Sequence, residues 1–566
     1  MLQRLHSAPR GARVSLVAAC LAAVALVASA CQPKATAIGQ NDVNPVDAGT
    51  LVKGGTLNWP ISTFPSNYNG NQSSGAGGDE AAILNAMMPT MFTFDAAGQP
   101  VLDSYYLSAA TVTSTNPMVV TYEINPKAFW NNGSPIVAAD FQAQWQALNG
   151  KDSDYNTAGT AGYSDVSSVI QGSSPREVVV TFTTPFADWR GLFSPLYPAS
   201  LNSTPAEFNQ GWLTGTATSA GPFMFQGFDP TAQTVTIVRD PKWWGPAPVL
   251  SSIVFHALGS DPAAALAALR SGQVDFASIE ADTSQLATGK AIKNTVVRTA
   301  AGSKFRQVTL NGAPSSPLND IRVRQAVALT IDRAKIAQRL LSPLGVPDQD
   351  LNNHIYLADE QGYQDNAGVY DMVDTSKAAS LLSQAGWKLV KGQRVSASGQ
   401  PLQLRLLIPQ GVPQATQESS LIKSMLGAVG IQVLVLSEPN SSFFQHYIFP
   451  GDFDLALFSW QGSVFPITAT RAIYQSPTAT ATTGASENYA DLSSPAIDSL
   501  YAQASMELNA AASIRLGNEI DVKVWQELAS LTLYQEPDIV IERSNLANFG
   551  AFGLASTNYL TIGFTK

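Results

Sequence analysis

Short apolar runs rich in β-branched residues alternate along the chain with longer segments in which apolar residues recur three and four positions apart. The first pattern is typical of strands and the second of amphipathic helices. The clearest candidates are strands at 176–182, 234–238 and 402–408 and helices at 320–341, 376–385 and 417–429. Gly386 and Gly430 follow the last two helices, as glycines at helix C-termini do. From residue 54 onward, the pattern therefore predicts a mixed α/β fold.

The start of the chain follows a different pattern. Arg4, Arg10 and Arg13 precede an apolar run that ends in small residues, and no acidic residue comes before it. This order of basic, apolar and small segments is that of a secretory signal peptide. Because the run stops at Cys31, it resembles the leader of a bacterial lipoprotein, whose cysteine is acylated. We expect residues 1–30 to be a signal peptide and a lipid on Cys31 to anchor the chain at the extracytoplasmic face of the bacterial cell membrane.

Three alternatives to a lipid on Cys31 remain. Cys20 matches the lipobox consensus, but the apolar residues between it and Arg13 are fewer than the roughly 7–15 that a signal peptide needs. An uncleaved membrane anchor, or cleavage after Ala30 without acylation, also fits the apolar run. Residues 31–53 have few apolar residues and no periodicity, so we expect them to form a lipidated, flexible tether.

Length and charge limit the classes of protein. A chain of 566 residues is too long for one hydrophobic core and long enough for two or three lobes. Its 43 acidic residues exceed its 33 basic ones, which gives a formal net charge of −10. Because this charge repels phosphate backbones, we expect no nucleic acid partner.

Four segments carry motifs in order along the chain. They are 121–148, 221–248, 268–275 and 320–333. In the first, Gly133 and Pro135 form a turn before Asp140, a residue type that can cap the start of a helix. Together these motifs resemble the signatures of family 5 extracellular solute-binding proteins, the oligopeptide, dipeptide and nickel receptors of bacterial ABC importers.

The resemblance implies an α/β, two-lobed fold like that of periplasmic binding proteins of type II and cluster C, with an extra inserted subdomain. The first lobe would combine 54–94, 221–297 and 534–566, the insertion would be 95–220, and the second lobe would be 298–533. Such a receptor is expected to be a monomer without a cofactor. It would capture a small solute, a peptide or a peptide-like neutral polar compound, between its lobes and deliver it to the permease of an ABC transporter.

Peptide-binding members of the family carry a Gly-Trp-x-x-Asp segment whose aspartate receives the ammonium group of the peptide. The corresponding segment here is 454–466, in which Ser463 takes the place of the aspartate. Since a buried ammonium without a counter-charge is costly, the resemblance favours a neutral, blocked or hydroxyl-rich ligand. The expected ligand contacts are Trp460, Gln461, Gly462 and Ser463.

Residues outside this segment are also expected to contact the ligand. Family members also line the site with residues that follow the first strand, predicted here at 55–61. The further candidates are therefore Thr63, Phe64 and Tyr68. Alternatively, Asp452 or Asp454 takes the place of the missing aspartate and receives the peptide ammonium group, which would restore peptide binding. We interpret Trp243 and Trp244 as a packing corner.

The remaining chemical motifs favour a binding protein over an enzyme. Ser420 and Lys423 have the spacing of a Ser-x-x-Lys acyl enzyme, but the sequence has no Lys-Thr-Gly partner. The segment 152–156 starts like a calcium loop, but Thr157 occupies the position of the required glycine. We expect no catalytic residue and no metal site. The alternative function is a cell-envelope accessory lipoprotein that uses the same fold to bind a glycolipid or a protein without import.

Overall fold

The computed structural model describes residues 38–477 and 486–566. The predicted signal peptide, Cys31 and the first residues of the predicted tether lie outside these ranges. The strands of the described residues are numbered β1 to β22 along the chain, and three of their sheets carry the fold.

The second half of the predicted tether is part of the fold. Strand β1 (Asp42–Val43) pairs antiparallel with β21 (Gly550–Ala551). Further along, Leu51 is buried in a small cluster with Val249 and Ala547. The prediction of a flexible tether is therefore wrong for residues 42–53, because this segment pairs with a strand and buries an apolar side chain.

A four-stranded sheet begins with the strand predicted at 55–61. In spatial order, its strands are β2 (Thr56–Ile61), β11 (Ser252–Ala257), β10 (Thr234–Arg239) and β9 (Phe223–Asp229). Strand β2 runs parallel to β11, and the other pairs are antiparallel. Alternate residues of β10 are buried, as a sheet with one covered face requires.

A second four-stranded sheet, antiparallel throughout, lies in the segment predicted as an insertion. Its strands, in spatial order, are β5 (Leu107–Thr115), β6 (Met118–Ile124), β8 (Glu177–Phe182) and β7 (Val166–Gln171), and a hairpin of β3 (Phe92–Phe94) and β4 (Pro100–Leu102) precedes it. Apolar side chains of this sheet and of the four-stranded sheet, such as Tyr122 and Phe255, belong to one continuous core. The Asp140 carboxylate stabilises a helix start here by accepting the N–H of Val137 (3.0 Å), and it also accepts the N–H of the distant Ala199 (2.8 Å).

A six-stranded mixed sheet carries the second core. In spatial order, it contains β12 (Phe276–Ile279), β19 (Ser530–Arg543), β13 (Thr295–Leu310), β18 (Leu455–Gln461), β16 (Gln403–Pro409) and β17 (Gln432–Glu438). Strand β16 is parallel to both neighbours, whereas β13 is antiparallel to both of its own. The remaining strands form short pairs, β14 (Lys388–Val390) with β15 (Gln393–Val395) and β20 (Leu546–Ala547) with β22 (Gly563–Phe564).

Helices flank the sheets. They span Gly78–Leu84, Ala138–Leu148, Pro205–Gln210, Pro262–Ser271, Thr283–Lys290, Ile321–Ala328, Arg333–Leu341, Thr375–Gln384, Pro413–Ala428, Pro466–Tyr474, Pro495–Ala504 and Ala510–Glu527. The single helix predicted at 320–341 is two helices, because the Asp332 carboxylate accepts the N–H of Lys335 (2.9 Å) and starts a new one. Gly386 and Gly430 have φ values of 91° and 88°, the left-handed conformation expected after a helix.

Strands β13 and β19 connect the two cores. Ala300 and Val540 lie in the first core, and Val308 and Leu531, on the same two strands, lie in the second. The predicted lobe boundary at residue 297 differs from this packing. Most apolar side chains of the segment 266–292 lie in the second core, whereas Phe276 of β12 lies in the first.

Candidate functional site

Two adjoining cavities lie beside β13 and β19. The first has a volume of about 450 Å³ and is lined by residues 59–62, 302–304 and 536–538. The second has a volume of about 330 Å³ and is lined by residues 458–461 of β18, among others. Glu280 and Lys304 line both cavities. We therefore treat the two cavities as one cleft.

A bulge in β13 shapes this cleft. The register with β19 shifts between Ala301 and Phe305, so that three residues of β13 lie opposite Glu536 alone. A bulge of this kind bends its strand and redirects the side chains around it. Gly302 is required there, because a Cβ at this position would lie 2.5 Å from the Glu536 carbonyl oxygen. Lys304, at the end of the bulge, lines the cleft.

Carboxylates outnumber cations in the first cavity. Glu280, Glu536 and Asp538 line it together with Lys304. Lys304 Nζ lies 3.7 Å from Glu280 Oε1, and both side chains are about half exposed. Glu536 is buried and accepts a hydrogen bond from the Ser459 hydroxyl. Burial raises the pKa of the Glu536 carboxyl above its ordinary value.

The nearby Arg306 offsets this negative charge only in part, because it is paired with another buried carboxylate. Its Nε lies 3.1 Å from Oε1 of the buried Glu418, whose same oxygen accepts the Tyr534 hydroxyl at 2.6 Å. Arg306 also donates to Ser459 Oγ at 3.2 Å. The ion pair therefore holds the serine that donates to Glu536, and the cleft keeps a local excess of negative charge.

Aromatic rings form the wall of the second cavity. The Trp460 and Tyr489 rings stack at 5.8 Å with an interplanar angle of 9°. Phe458 contacts the edge of Trp460 at 5.5 Å, and Phe444 lies 5.5 Å from Phe458. The indole N–H of Trp460 is buried and has no hydrogen-bond partner among the described residues. The cleft thus combines a charged side with an aromatic side.

The structure brings part of the segment predicted around Trp460 into the cleft. Trp460 and Gln461 line the second cavity, and the Gln461 amide donates to the Ser303 hydroxyl. The Gly462 N–H donates to the Ser303 carbonyl oxygen at 2.6 Å, an approach that leaves no room for a side chain at Gly462. Ser463 differs from the prediction, because its Oγ accepts the N–H of Phe465 (3.1 Å) and it lines a separate cavity of about 10 Å³.

The residues predicted after the first strand do not line either cavity of the cleft. The Thr63 hydroxyl donates to Asp79 at 2.9 Å on the surface. Phe64 packs against Phe228, with 5.9 Å between ring centroids. Tyr68 is only 1% exposed, so its assignment as a ligand contact is wrong. The neighbouring Ser62 lines the cleft instead.

The alternative carboxylates on the same segment are also engaged elsewhere. Asp454 is buried, with Oδ2 3.1 Å from Arg405 Nε and Oδ1 3.0 Å from Ser316 Oγ. Asp452 forms an ion pair with the same arginine. Neither residue lines the cleft, so the interpretation that one of them replaces the missing aspartate is wrong.

The charged residues of the cleft were missed by sequence reasoning. Glu280 follows the short strand β12, Lys304 and Arg306 lie within β13, and Glu536 lies within β19. The available signal was a charge inside or just after a strand-like apolar run, where a solvated side chain is unusual. The family motifs gave no reason to choose these positions.

The remaining sequence motifs that could indicate catalysis or metal binding do not form a second site among the described residues. The Ser420 hydroxyl donates to the Thr416 carbonyl oxygen at 2.8 Å on an exposed helix face. In residues 38–477 and 486–566, no cluster of three His, Cys, Asp or Glu side chains is placed to hold a metal ion. Within the same residues, no helix has the length and apolar character needed to cross a membrane.

Comparison with known proteins identifies the family. Residues 104–482 match the profile of bacterial extracellular solute-binding proteins, family 5 Middle. The chain belongs to this family. This confirms the family predicted from the motifs, and with it the two-lobed periplasmic-binding-protein fold. The family is one of solute-binding proteins rather than enzymes, and its members are extracytoplasmic.

Individual relatives support the same assignment. The oligopeptide-binding protein OppA of Mycobacterium tuberculosis is 37% identical over 533 residues, which cover 93% of this chain and 87% of the relative. The structure of the periplasmic EDTA-binding protein EppA superimposes with a TM-score of 0.84 at 26% identity, covering 93% of this chain and 98% of that one. Bacillus subtilis AppA, solved with a nonapeptide, gives a TM-score of 0.71 at 17% identity, covering 91% and 100%, and shows the fold alone.

Proposed function

We propose that this protein captures a short peptide with a free amino terminus in the cleft and delivers it to the permease of an ABC importer. The observation that carries the proposal is the excess of carboxylates, Glu280 and Glu536 foremost, beside the aromatic wall at Trp460. The oligopeptide-binding relative, which matches nearly the whole chain, supports the ligand class.

The negative charge of the cleft favours a positively charged ligand over the neutral ligand expected from the sequence. The expectation of a neutral ligand rests on Ser463 facing the ligand, whereas its hydroxyl is bonded at the start of helix Pro466–Tyr474. An ammonium group leaving water needs a nearby counter-charge. Glu536, which has no ion-pair partner within 4 Å among the described residues, provides it from β19.

The two lobes close around the bound peptide, so the bound protein differs in conformation from the free protein. A peptide that contacts both the β2 side and the β18 side of the cleft stabilises the closed form by its extra contacts there. Strands β13 and β19, which link both cores, act as the hinge. We keep the predicted lobe segments as the proposed moving bodies, and the segment 266–292 contacts both of them.

Calorimetry with ligand-free protein tests the ligand class. Trialanine is expected to bind at least about tenfold more tightly than its N-acetylated form, since only the free peptide carries an ammonium group. Glu536→Gln is expected to remove this preference. Glu519→Gln, at an exposed ion pair outside the cleft, is the matched control. Equal binding of the two peptides to the wild-type protein would contradict the proposal.

We also propose that a lipid on Cys31 keeps the receptor at the membrane beside its permease. The support is the order of segments in the leader, and the effect of a tether is to raise the local concentration of receptor. Labelled palmitate is expected to enter the wild-type protein and to be absent from Cys31→Ala. Labelling that persists in Cys31→Ala and disappears in Cys20→Ala would move the anchor to Cys20.

A further inference from the structure

A third cavity, separate from the cleft, has a volume of about 590 Å³. It is bounded by the hairpin of β3 and β4, by residues 103–106, by Trp243 and by residues 556–560. In the described part of the chain it shares no lining residue with either cavity of the cleft. A ligand bound here therefore makes no direct contact with the proposed peptide site.

The Asp103 carboxylate supplies the charge of this cavity. Its Oδ1 accepts the N–H of Tyr105 at 3.0 Å, while Oδ2 has a long contact of 3.4 Å from the Thr90 hydroxyl. None of the described lining residues is Lys, Arg or His, and Asp103 forms no ion pair within the described ranges. Burial raises the pKa of Asp103 to about 6, so the carboxyl is ionised above neutral pH despite its desolvation.

Aromatic rings lie beside this carboxylate. The rings of Tyr105 and Trp243 are 5.2 Å apart at an angle of 56°, and both side chains are partly exposed. Tyr106 packs 6.0 Å from Trp243. The Trp243 indole N–H is bonded to the Pro246 carbonyl oxygen at 3.0 Å, which fixes the ring. Two rings that meet at an angle offer π faces to one cation.

We propose that this cavity binds an organic ammonium group, with Asp103 as its counter-ion and the Tyr105 and Trp243 rings as its aromatic wall. Attraction to the carboxylate and to the ring faces requires a positive charge on the ligand. A cation also neutralises the desolvated carboxylate, whereas a neutral ligand leaves it without a counter-charge. Trp243 thus has a role beyond packing.

Choline and its neutral isostere, in which a tert-butyl group replaces the trimethylammonium group, separate charge from shape. Binding to the purified protein is measured by calorimetry at about pH 8, where Asp103 is ionised. Choline is expected to bind at least about tenfold more tightly than the isostere. Asp103→Asn, which keeps the acceptor for the Tyr105 N–H, is expected to remove that preference. Asp95→Asn, at a nearby exposed turn, is the control and is expected to retain it.

The peptide assay distinguishes this site from the cleft. Asp103→Asn is expected to bind trialanine as the wild type does, which also shows that the variant is folded. Glu536→Gln is expected to keep its affinity for choline. If Asp103→Asn does not fold, Tyr105→Leu replaces it and is expected to lose choline affinity severalfold.

Two vesicle compositions identify the source of the ammonium group. Sedimentation with phosphatidylcholine but not with phosphatidylglycerol vesicles, lost in Asp103→Asn, assigns a lipid headgroup. Binding of choline without vesicle binding assigns a free amine. Equal affinity for choline and its isostere, or unchanged choline binding by Asp103→Asn, would overturn the proposal.

Discussion

The guanidinium group of Arg306 and the carboxylate of Glu418 form an ion pair in the second core, with 3.1 Å between Nε and Oε1. Both side chains are almost fully buried. Because the Tyr534 hydroxyl donates to the same carboxylate at 2.6 Å, the pair is part of a network that joins helix Pro413–Ala428 to β13 and β19. Strands β13 and β19 are therefore both linked to this helix beside the cleft.

Removing the charge of Glu418 is expected to destabilise the fold. Glu418→Gln leaves the Arg306 guanidinium buried without its counter-charge, which costs about 3–5 kcal/mol when one partner of such a pair is lost. Urea unfolding measures the change. Glu519→Gln, at the exposed pair with Arg515, is the control and is expected to change stability by less than ~1 kcal/mol. A similar small loss in both variants would show that the buried pair contributes little.

Gly302 is expected to be essential for the geometry of the hinge. Gly302→Ala places a methyl group 2.5 Å from a carbonyl oxygen of β19, and backbone atoms can move only by separating the two strands. We expect a loss of about 1–3 kcal/mol in unfolding free energy and weaker trialanine binding. Gly227→Ala, also in a strand but with free space around the added carbon, is the control. Unchanged trialanine affinity in Gly302→Ala would show that the cleft tolerates the displacement.

The sequence predicted the fold more fully than the site. Family motifs such as 320–333 coincide with helices and turns of this structure. The break at Asp332 was missed because its capping role shows only when the Lys335 N–H is seen bonded to it. The apolar pattern continues across the break, so periodicity alone predicts one helix.

The site depends on contacts between distant segments. Lys304 and Glu536 are separated by more than two hundred residues and meet because β13 pairs with β19. Ser463 was expected to face the ligand, but its side chain lies at a helix start instead of in the cleft. Trp460 was found because a motif marks it, whereas no motif marks the charges opposite it.

Glu360 is expected to make stability depend on pH. Burial raises the pKa of its carboxyl to about 8 in the folded protein, well above the ordinary value that applies when the chain is unfolded. The folded state therefore holds the proton more tightly, and stability falls as pH rises from about 5 to 8. Glu360→Gln, which can still accept the Leu357 N–H, is expected to remove this loss.

Urea unfolding at the two pH values gives the size of the effect. The stability of Glu360→Gln relative to the wild type is expected to grow by on the order of 2 kcal/mol between pH 5 and pH 8. Glu123→Gln, an exposed position on β6, is the control for general effects of charge. A difference between Glu360→Gln and the wild type that stays constant with pH would contradict the expectation.

The segment that begins the described chain is expected to brace the hinge. Asp42 Oδ2 accepts the N–H of Thr299 at 3.0 Å, and Oδ1 lies 3.4 Å from Arg298. Asp42→Ala leaves that N–H without its acceptor, at an expected cost of about 1–3 kcal/mol. Hydrogen exchange at 295–301 is expected to become faster, and Asp47→Ala, outside β13, serves as the control. Unchanged exchange in Asp42→Ala would show that residues 295–301 of β13 do not depend on Asp42, and faster exchange would show that the segment around β1 also stabilises this part of β13.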